Sequence, residues 1–180
     1  MTSERTTSDA DSILFVCLGN ICRSPLAEGI FLHLLAERGT RELVVDSAGT
    51  GGWHAGEGPD GRALAIAKKR GVHLPSIARQ VTREDFERFT HIIAMDQSNF
   101  ENLLAMGAPE SKLSLMRSYD PAHRAKPIGA ESPNGQAPDV PDPYYGGDQG
   151  FEHVFDMLMA ACRGLVDELG VGDKGQEKPR

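Results

Sequence analysis

The sequence predicts an α/β domain: a parallel sheet covered by helices on both faces. Three observations carry that prediction. The runs Ser12 to Val16 and His91 to Met95 are short and apolar without polar alternation, as strands buried on both faces require. Stretches with apolar residues at helical spacing follow such runs, so strand and helix alternate along the chain. No internal repeat interrupts the series, and parallel neighbours must then be joined by right-handed crossovers.

The elements follow in order. Residues 1–11 are polar and read as a tail, the domain runs over 12–170, and 171–180 read as a second tail. After the first strand, Ser24 opens a helix with Pro25 at its first position, where the missing N–H costs nothing. Leu26, Ala27, Ile30, Phe31, Leu34 and Leu35 fall on one face of it, and Gly39 ends it. A second strand spans Leu43 to Ser47, and a second helix runs from Pro59 to Arg70 with Gly71 as its stop. Thr82 and Asp85 have capping-box spacing for a short helix through Phe89. After the strand at 91–95, Asp96 caps a helix carrying Phe100, Leu103 and Leu104, which Gly107 and Pro109 end. Lys112 to Met116 is a fourth, weaker strand. Ser118 to Gly147 is rich in Pro and Gly and shows no period. Phe151 to Leu169 is an amphipathic helix with a sustained apolar stripe.

Composition narrows the function. A net charge of −7 argues against a nucleic-acid binder, which needs clustered Lys and Arg, and against an anionic membrane surface. Three cysteines, Cys17, Cys22 and Cys162, are too few for a secreted disulfide framework, and no Cys/His group has zinc spacing. The N-terminal residues lack the apolar core of a signal peptide, and no apolar run reaches transmembrane length. The expectation is a cytoplasmic domain without metal or cofactor, export by a non-classical route being left open.

Residues Cys17 to Ser24 (CLGNICRS) join the first strand to the first helix, where ligands of such sheets bind. A cysteine and an arginine six apart arise often by chance. The preceding strand, the following helix, Gly19, Asn20 and Ser24 make this pair specific. Gly19 and Asn20 tolerate positive φ, so residues 18–23 can wrap tightly. The N–H groups of Leu18, Gly19, Asn20, Ile21, Cys22 and Arg23, with Ser24, then converge as an anion nest at a helix N-terminus. Arg23 adds a planar fork matched to two phosphoryl oxygens. Each feature stabilises negative charge and so favours Cys17 as the thiolate nucleophile. A leaving alkoxide or phenoxide needs a proton, and Asp142, restricted between Pro141 and Pro143, is the candidate acid. Asp139 is the runner-up. Tyr144 and Tyr145 follow, and either one lines a site or packs the loop. Cys162 lies on the last helix stripe as core.

These residues resemble the low-molecular-weight protein tyrosine phosphatase family from Ile13 to about Gly170. The resemblance rests on Val16 to Pro25 and Asp142 to Gly147, supported by Asp46–Gly49, Ala78–Gln80 and Ala94–Asp96. It implies a Rossmann-like three-layer sandwich with a four-stranded parallel sheet. It implies metal-independent hydrolysis of phosphotyrosine and small aryl phosphates through phosphocysteine, with Cys17 as nucleophile, Arg23 as clamp and Asp142 as general acid. Asn20, Ser24 and Ser47 would support the loop, while Trp53 and Tyr144 or Tyr145 would wall the substrate slot. Cys22 would be either a redox guard of Cys17 or a small buried neighbour. The implied partners are tyrosine-phosphorylated proteins, with the enzyme a monomer or weak dimer.

Two departures stand out. Where many animal members carry a histidine in the loop network, this chain has Ser76-Ile77, so the network must be completed otherwise. The Pro121 to Pro138 stretch, with Arg124 and Lys126, is longer than usual. An arsenate reductase relay needs two further cysteines after the loop, and only Cys162 follows. Related arginine phosphatases favour Thr where this chain has the bulkier Ile21. A non-catalytic phosphate or redox module would leave Asp142 without purpose.

Overall fold

The computed structural model describes residues 10–40, 43–124 and 137–171. Most of the two predicted tails, most of the Pro121 to Pro138 stretch, Lys126 and the Arg124 side chain lie outside the described residues.

Strands β1 (Ser12–Cys17), β2 (Val44–Gly49), β3 (His91–Ala94) and β4 (Leu113–Leu115) form one parallel sheet in the order β2-β1-β3-β4. Helices α1 (Arg23–Glu37), α2 (Gly61–Lys69), α3 (Arg83–Arg88), α4 (Gln97–Ala105), α5 (Pro121–Arg124) and α6 (Gly147–Glu168) complete the fold. The three-layer architecture expected from the sequence is the one observed. Alternation along β1 divides the core. Ile13, Phe15 and Cys17 pack with α1, α2 and α6, whereas Leu14 and Val16 pack with α3 and α4. Ile13, Leu14, Phe15 and Val16 are fully buried, each contributing roughly 1.5–3 kcal/mol of apolar transfer. Cys17 therefore leaves a strand gripped on both faces.

The chain steps from β1 to β2 on one side and returns to β3 on the other. The sheet thus switches direction at the carboxyl end of β1, where a crevice must open. Register places Gly49 beside Cys17, and a Cβ at Gly49 would lie 2.7 Å from the Leu18 carbonyl oxygen. A side chain there would push the Cys17 loop away, so β2 must end on glycine.

Several boundaries differ from the sequence reading. Helix α1 starts at Arg23, with Cys22 in the cap position and the Leu26 N–H bonded to the Cys22 carbonyl (3.1 Å). Pro25 is then the third helical residue, still among the N–H groups that lack an intrahelical acceptor. Ser24 caps nothing, because its hydroxyl is turned to the Cys17 sulfur. Asp60 precedes α2 as its cap and accepts from the Arg62 N–H, so that helix starts later than Pro59. The capping-box arm is present, with Thr82 N–H donating to Asp85 (2.8 Å), and Asp96 caps α4 as expected. The aperiodic stretch from Ser118 holds a 3-10 turn ending at Tyr119 and the single turn α5. Helix α6 begins four residues ahead of its apolar stripe. Cys162 is core, as expected, and burial pushes its thiol pKa up. Among the described residues, no helix is long and apolar enough to cross a membrane.

Candidate active site

Asn20 is the one described non-glycine residue at positive φ (57°), which closes the loop after β1 and aims the Asn20 N–H at the Cys17 sulfur (3.3 Å). Gly19 does not take the left-handed conformation expected of it. Its requirement is space, since a Cβ there would meet the His54 ring at 3.2 Å. The Ser24 hydroxyl lies 3.0 Å from the sulfur on the helix side. Asn20 Nδ2 donates to both Ser24 Oγ (2.9 Å) and Ser47 Oγ (3.0 Å), while its Oδ1 accepts the Arg79 N–H (3.0 Å). The side chain of Asn20 is thus spent on support, and only its backbone faces the anion site. With Ser24 accepting from Asn20, its own proton is available to the sulfur.

Behind this network lies a residue the sequence reading missed. Glu28 is buried, and one of its carboxyl oxygens accepts from both Ser47 Oγ (2.5 Å) and Ser76 Oγ (2.5 Å). Burial is the main cause that raises the Glu28 pKa, and the two hydroxyl donors work against it. Ser76 therefore completes the network together with Ser47 and Glu28. Glu28 escaped notice because it lies off the apolar face of α1. The first half of that helix is buried all round, so an off-face acid ends up inside.

Arg23 is buried among fixed acceptors. Its Nη1 donates to Asp96 Oδ2 (2.6 Å) and to the Val140 carbonyl (3.1 Å), and its Nη2 lies 3.5 Å from Asp142 Oδ2. Its Nε is buried without a hydrogen-bond partner. Burial works against the charge, but the Cys17 sulfur and Asp96 outweigh it, and the Arg23 pKa is raised. Asp96 does two jobs: Oδ1 caps α4 through the Asn99 N–H (2.7 Å), and Oδ2 holds the arginine.

A cleft of about 220 Å³ opens over this floor. It is lined by Cys17, Leu18, Gly19, Ile21, Cys22 and Arg23 together with Trp53, His54, Asp142, Tyr144 and Tyr145. The structure therefore brings together the predicted loop, acid and aromatic residues. Asp139 stays apart: it is exposed, and its carboxylate accepts the Gln97 N–H (2.9 Å). The turn leading to Trp53 is pinned to the loop by Thr50 N–H to Cys17 O and Gly51 N–H to Leu18 O (both 2.9 Å). His54, paired with Glu57 (2.9 Å), is a lining residue that no motif signalled. Cys22 is a free thiol, and burial, reinforced by Asp60, pushes its pKa up to about 12. Among the described residues, no group of three or more His, Cys, Asp or Glu is arranged to hold a metal.

A sulfur nucleophile in an amide nest, an arginine fork and a carboxyl group can together move a phosphoryl group onto sulfur and then to water. That chemistry, on a parallel α/β sheet, defines a cysteine-dependent phosphatase. Residues 12–174 match the family described as low molecular weight phosphotyrosine protein phosphatase, and the chain belongs to it. A low molecular weight protein-tyrosine-phosphatase of Streptomyces coelicolor is 42% identical over 86% of this chain and 90% of its own length. Among solved structures, a protein tyrosine phosphatase of Entamoeba histolytica matches with a TM-score of 0.77 at 38% identity, covering 91% of this chain and 99% of that one. The solved structure of a Drosophila arginine phosphatase matches with a TM-score of 0.73 at 31% identity, over 92% of this chain and 99% of its own.

Proposed function

We propose that Cys17 attacks the phosphorus of phosphotyrosine, or of a small aryl phosphate, in line with the leaving oxygen. Arg23 and the N–H groups of residues 18–24 hold the equatorial oxygens, supplying the charge stabilisation that other phosphatases take from metal ions. The S–P bond forms as the P–O bond breaks, and Asp142 gives its proton to the phenoxide. Asp142 then takes a proton from water, which cleaves phosphocysteine, releases phosphate and restores Cys17. Asn20, Ser24 and Ser47 hold the loop in shape. Trp53 and the Tyr144–Tyr145 pair, whose rings meet edge to face at 5.0 Å, flank a flat aryl group.

One observation carries this reading: Asp142, remote in sequence, shares the cleft with Cys17 and reaches the Arg23 fork. The substrates are tyrosine-phosphorylated proteins, met by a monomer or weak dimer in the cytoplasm, and the catalytic domain spans 12–170. Cys22 is assigned the redox role, condensing with an oxidised Cys17 to a disulfide with loss of water.

The test is p-nitrophenyl phosphate hydrolysis in EDTA by wild type, Cys17→Ser and Asp142→Asn, with phosphotyrosine, phosphoserine and phosphoarginine compared in parallel. Cys17→Ser should be inactive, and Asp142→Asn should lose on the order of 10²-fold or more on esters with poor leaving groups. Activity surviving Cys17→Ser sinks the mechanism. Faster turnover of phosphoarginine than of phosphotyrosine sinks the substrate assignment.

A further inference from the structure

Arg62 lies in the first turn of α2 and belongs to neither motif of the site, yet its guanidinium makes three hydrogen bonds to two partners at once. Nε and Nη2 form a fork on the Asp60 carboxylate (both 3.0 Å), and Nη1 donates to the Tyr144 carbonyl (2.9 Å). The guanidinium also packs over two rings, 4.7 Å from the centroid of Phe151 and 5.4 Å from that of Tyr144. Phe151 is core, so this contact rests on a fixed platform. As an ion pair alone, a part-exposed Arg62–Asp60 contact would count for little. Its place in the connectivity gives it weight.

At one end, the Asp60 N–H donates to the Ile21 carbonyl (2.8 Å), so Asp60 is fastened to the phosphate loop itself. At the other end, the Tyr144 N–H donates to Asp142 Oδ1 (3.1 Å). A continuous path therefore runs from Ile21 through Asp60, Arg62 and Tyr144 to Asp142. The acid segment needs such a tie. Pro141 and Pro143 bring no N–H groups, so this stretch has few backbone donors to hold it, the Val140 N–H on the Met95 carbonyl (2.8 Å) being one, and its carbonyls and side chains carry more of the task. The carbonyl that Arg62 takes lies two residues beyond the acid.

We infer that Arg62 is a positioning residue for the general acid: it fixes the Asp142 segment at a set distance from the Cys17 loop by bridging Asp60 and Tyr144. It touches no substrate. The inference rests on the proposed role of Asp142 and adds how that carboxyl is kept in range of the leaving oxygen. Lysine should not replace it, because a single ammonium cannot fork onto Asp60 while bonding the Tyr144 carbonyl in the same plane.

The experiment compares kcat/KM for phenyl phosphate, whose leaving group needs a proton, with that for 2,4-dinitrophenyl phosphate, whose leaving group does not. It uses wild type, Arg62→Ala, Arg62→Lys, Asp142→Asn and the Arg62→Ala/Asp142→Asn double variant. Both Arg62 variants should lose about tenfold on phenyl phosphate and under about twofold on the dinitrophenyl ester. Adding Arg62→Ala to Asp142→Asn should cost under about twofold on either ester, because the acid it positions is already gone. The inhibition constant for inorganic phosphate should stay within about twofold of wild type, which marks the phosphate loop as intact.

Equal losses on the two esters would overturn the inference, since they report damage to the loop. A full tenfold loss in the Asp142→Asn background overturns it as well. Should Arg62→Ala fail to fold, Arg62→Lys carries the same comparison, and wild-type behaviour of that folded variant overturns the forked bridge. If Asp142→Asn shows no leaving-group-dependent loss, the acid assignment falls first and this inference with it. If Asp142→Asn behaves as an acid knockout and the Arg62 variants do not follow it, only the inference on Arg62 fails.

Discussion

The two oxygens of Asp96 can be separated by substitution. Oδ1 caps α4 and Oδ2 holds Arg23, so Asp96→Ser keeps a capping oxygen while removing the arginine's anchor, and Asp96→Ala removes both. The Arg23 side chain is 3% exposed and that of Asp96 18%, so the pair is largely removed from solvent. Breaking a buried pair costs about 3–5 kcal/mol in general. Here the Val140 carbonyl at 3.1 Å and Asp142 at 3.5 Å remain, which brings the expectation for Asp96→Ser down to about 2–3 kcal/mol. The lost cap adds about 1 kcal/mol in Asp96→Ala. For a domain of this size that means Tm falls by about 5–10 °C in the serine variant and by about 2–4 °C more in the alanine variant.

Kinetics report the other half of the argument. With Nη1 held by the Val140 carbonyl alone, the fork presents Nη2 and Nε less rigidly, and a misplacement of about 1 Å costs about 10²-fold in kcat/KM. The assays are thermal unfolding and p-nitrophenyl phosphate turnover on the same preparations. A serine variant with wild-type Tm and kcat/KM would refute the anchor. An alanine variant no less stable than the serine variant would refute the cap.

Two further predictions rest on titratable groups. Glu28 has a folded-state pKa above its ordinary value of 4.5, so its stabilising protonation is fully present below that value and is lost as pH rises through the folded pKa. Glu28→Gln stays neutral at every pH, so its Tm relative to wild type should climb as pH rises above 4.5 and through the raised folded-state pKa; a flat difference refutes a buried, proton-binding Glu28. With the Cys22 pKa pushed up to about 12, roughly one Cys22 in 10⁵ is thiolate at pH 7, so brief iodoacetate treatment should label Cys17 alone by mass spectrometry. After a peroxide pulse, wild type should regain activity with dithiothreitol and Cys22→Ser should not. Label on Cys22, or full recovery of the serine variant, contradicts these assignments.

What the sequence made legible, and what it hid, follows from the range of the interactions involved. The β1 strand could be read because burial on both faces demands an unbroken apolar run. The Cys17 loop could be read because nest, dipole and fork all depend on neighbours within eight residues. The place of Asp142 in the cleft could be anticipated because its two flanking prolines are a local restraint. Glu28, Asp96 as an anchor and Arg62 could not be assigned their roles. Each acts through a partner far along the chain, and alone each looks like an ordinary surface charge. Asp96 was legible as a cap, a local role, while its bond to Arg23 was not.

The same distinction explains how the site is built. The groups proposed to meet the phosphoryl oxygens come from one contiguous loop, whose geometry is shaped by a strand end, a helix start and a left-handed Asn20. The acid cannot come from that loop, because it must approach from the leaving-group side, opposite the sulfur in an in-line displacement. It has to arrive on a separate segment, and its distance from the sulfur is then set by side chains that bridge the two. Two arginines span this gap from opposite directions: Arg23 reaches Asp142 from the floor, and Arg62 reaches Tyr144 from α2. Once a phosphoryl group occupies the Arg23 fork, its contact with Asp142 must give way to the oxygens. The bonds from Arg62 to Asp60 and to the Tyr144 carbonyl use no group proposed to hold the phosphoryl oxygens, so they can persist throughout the proposed cycle.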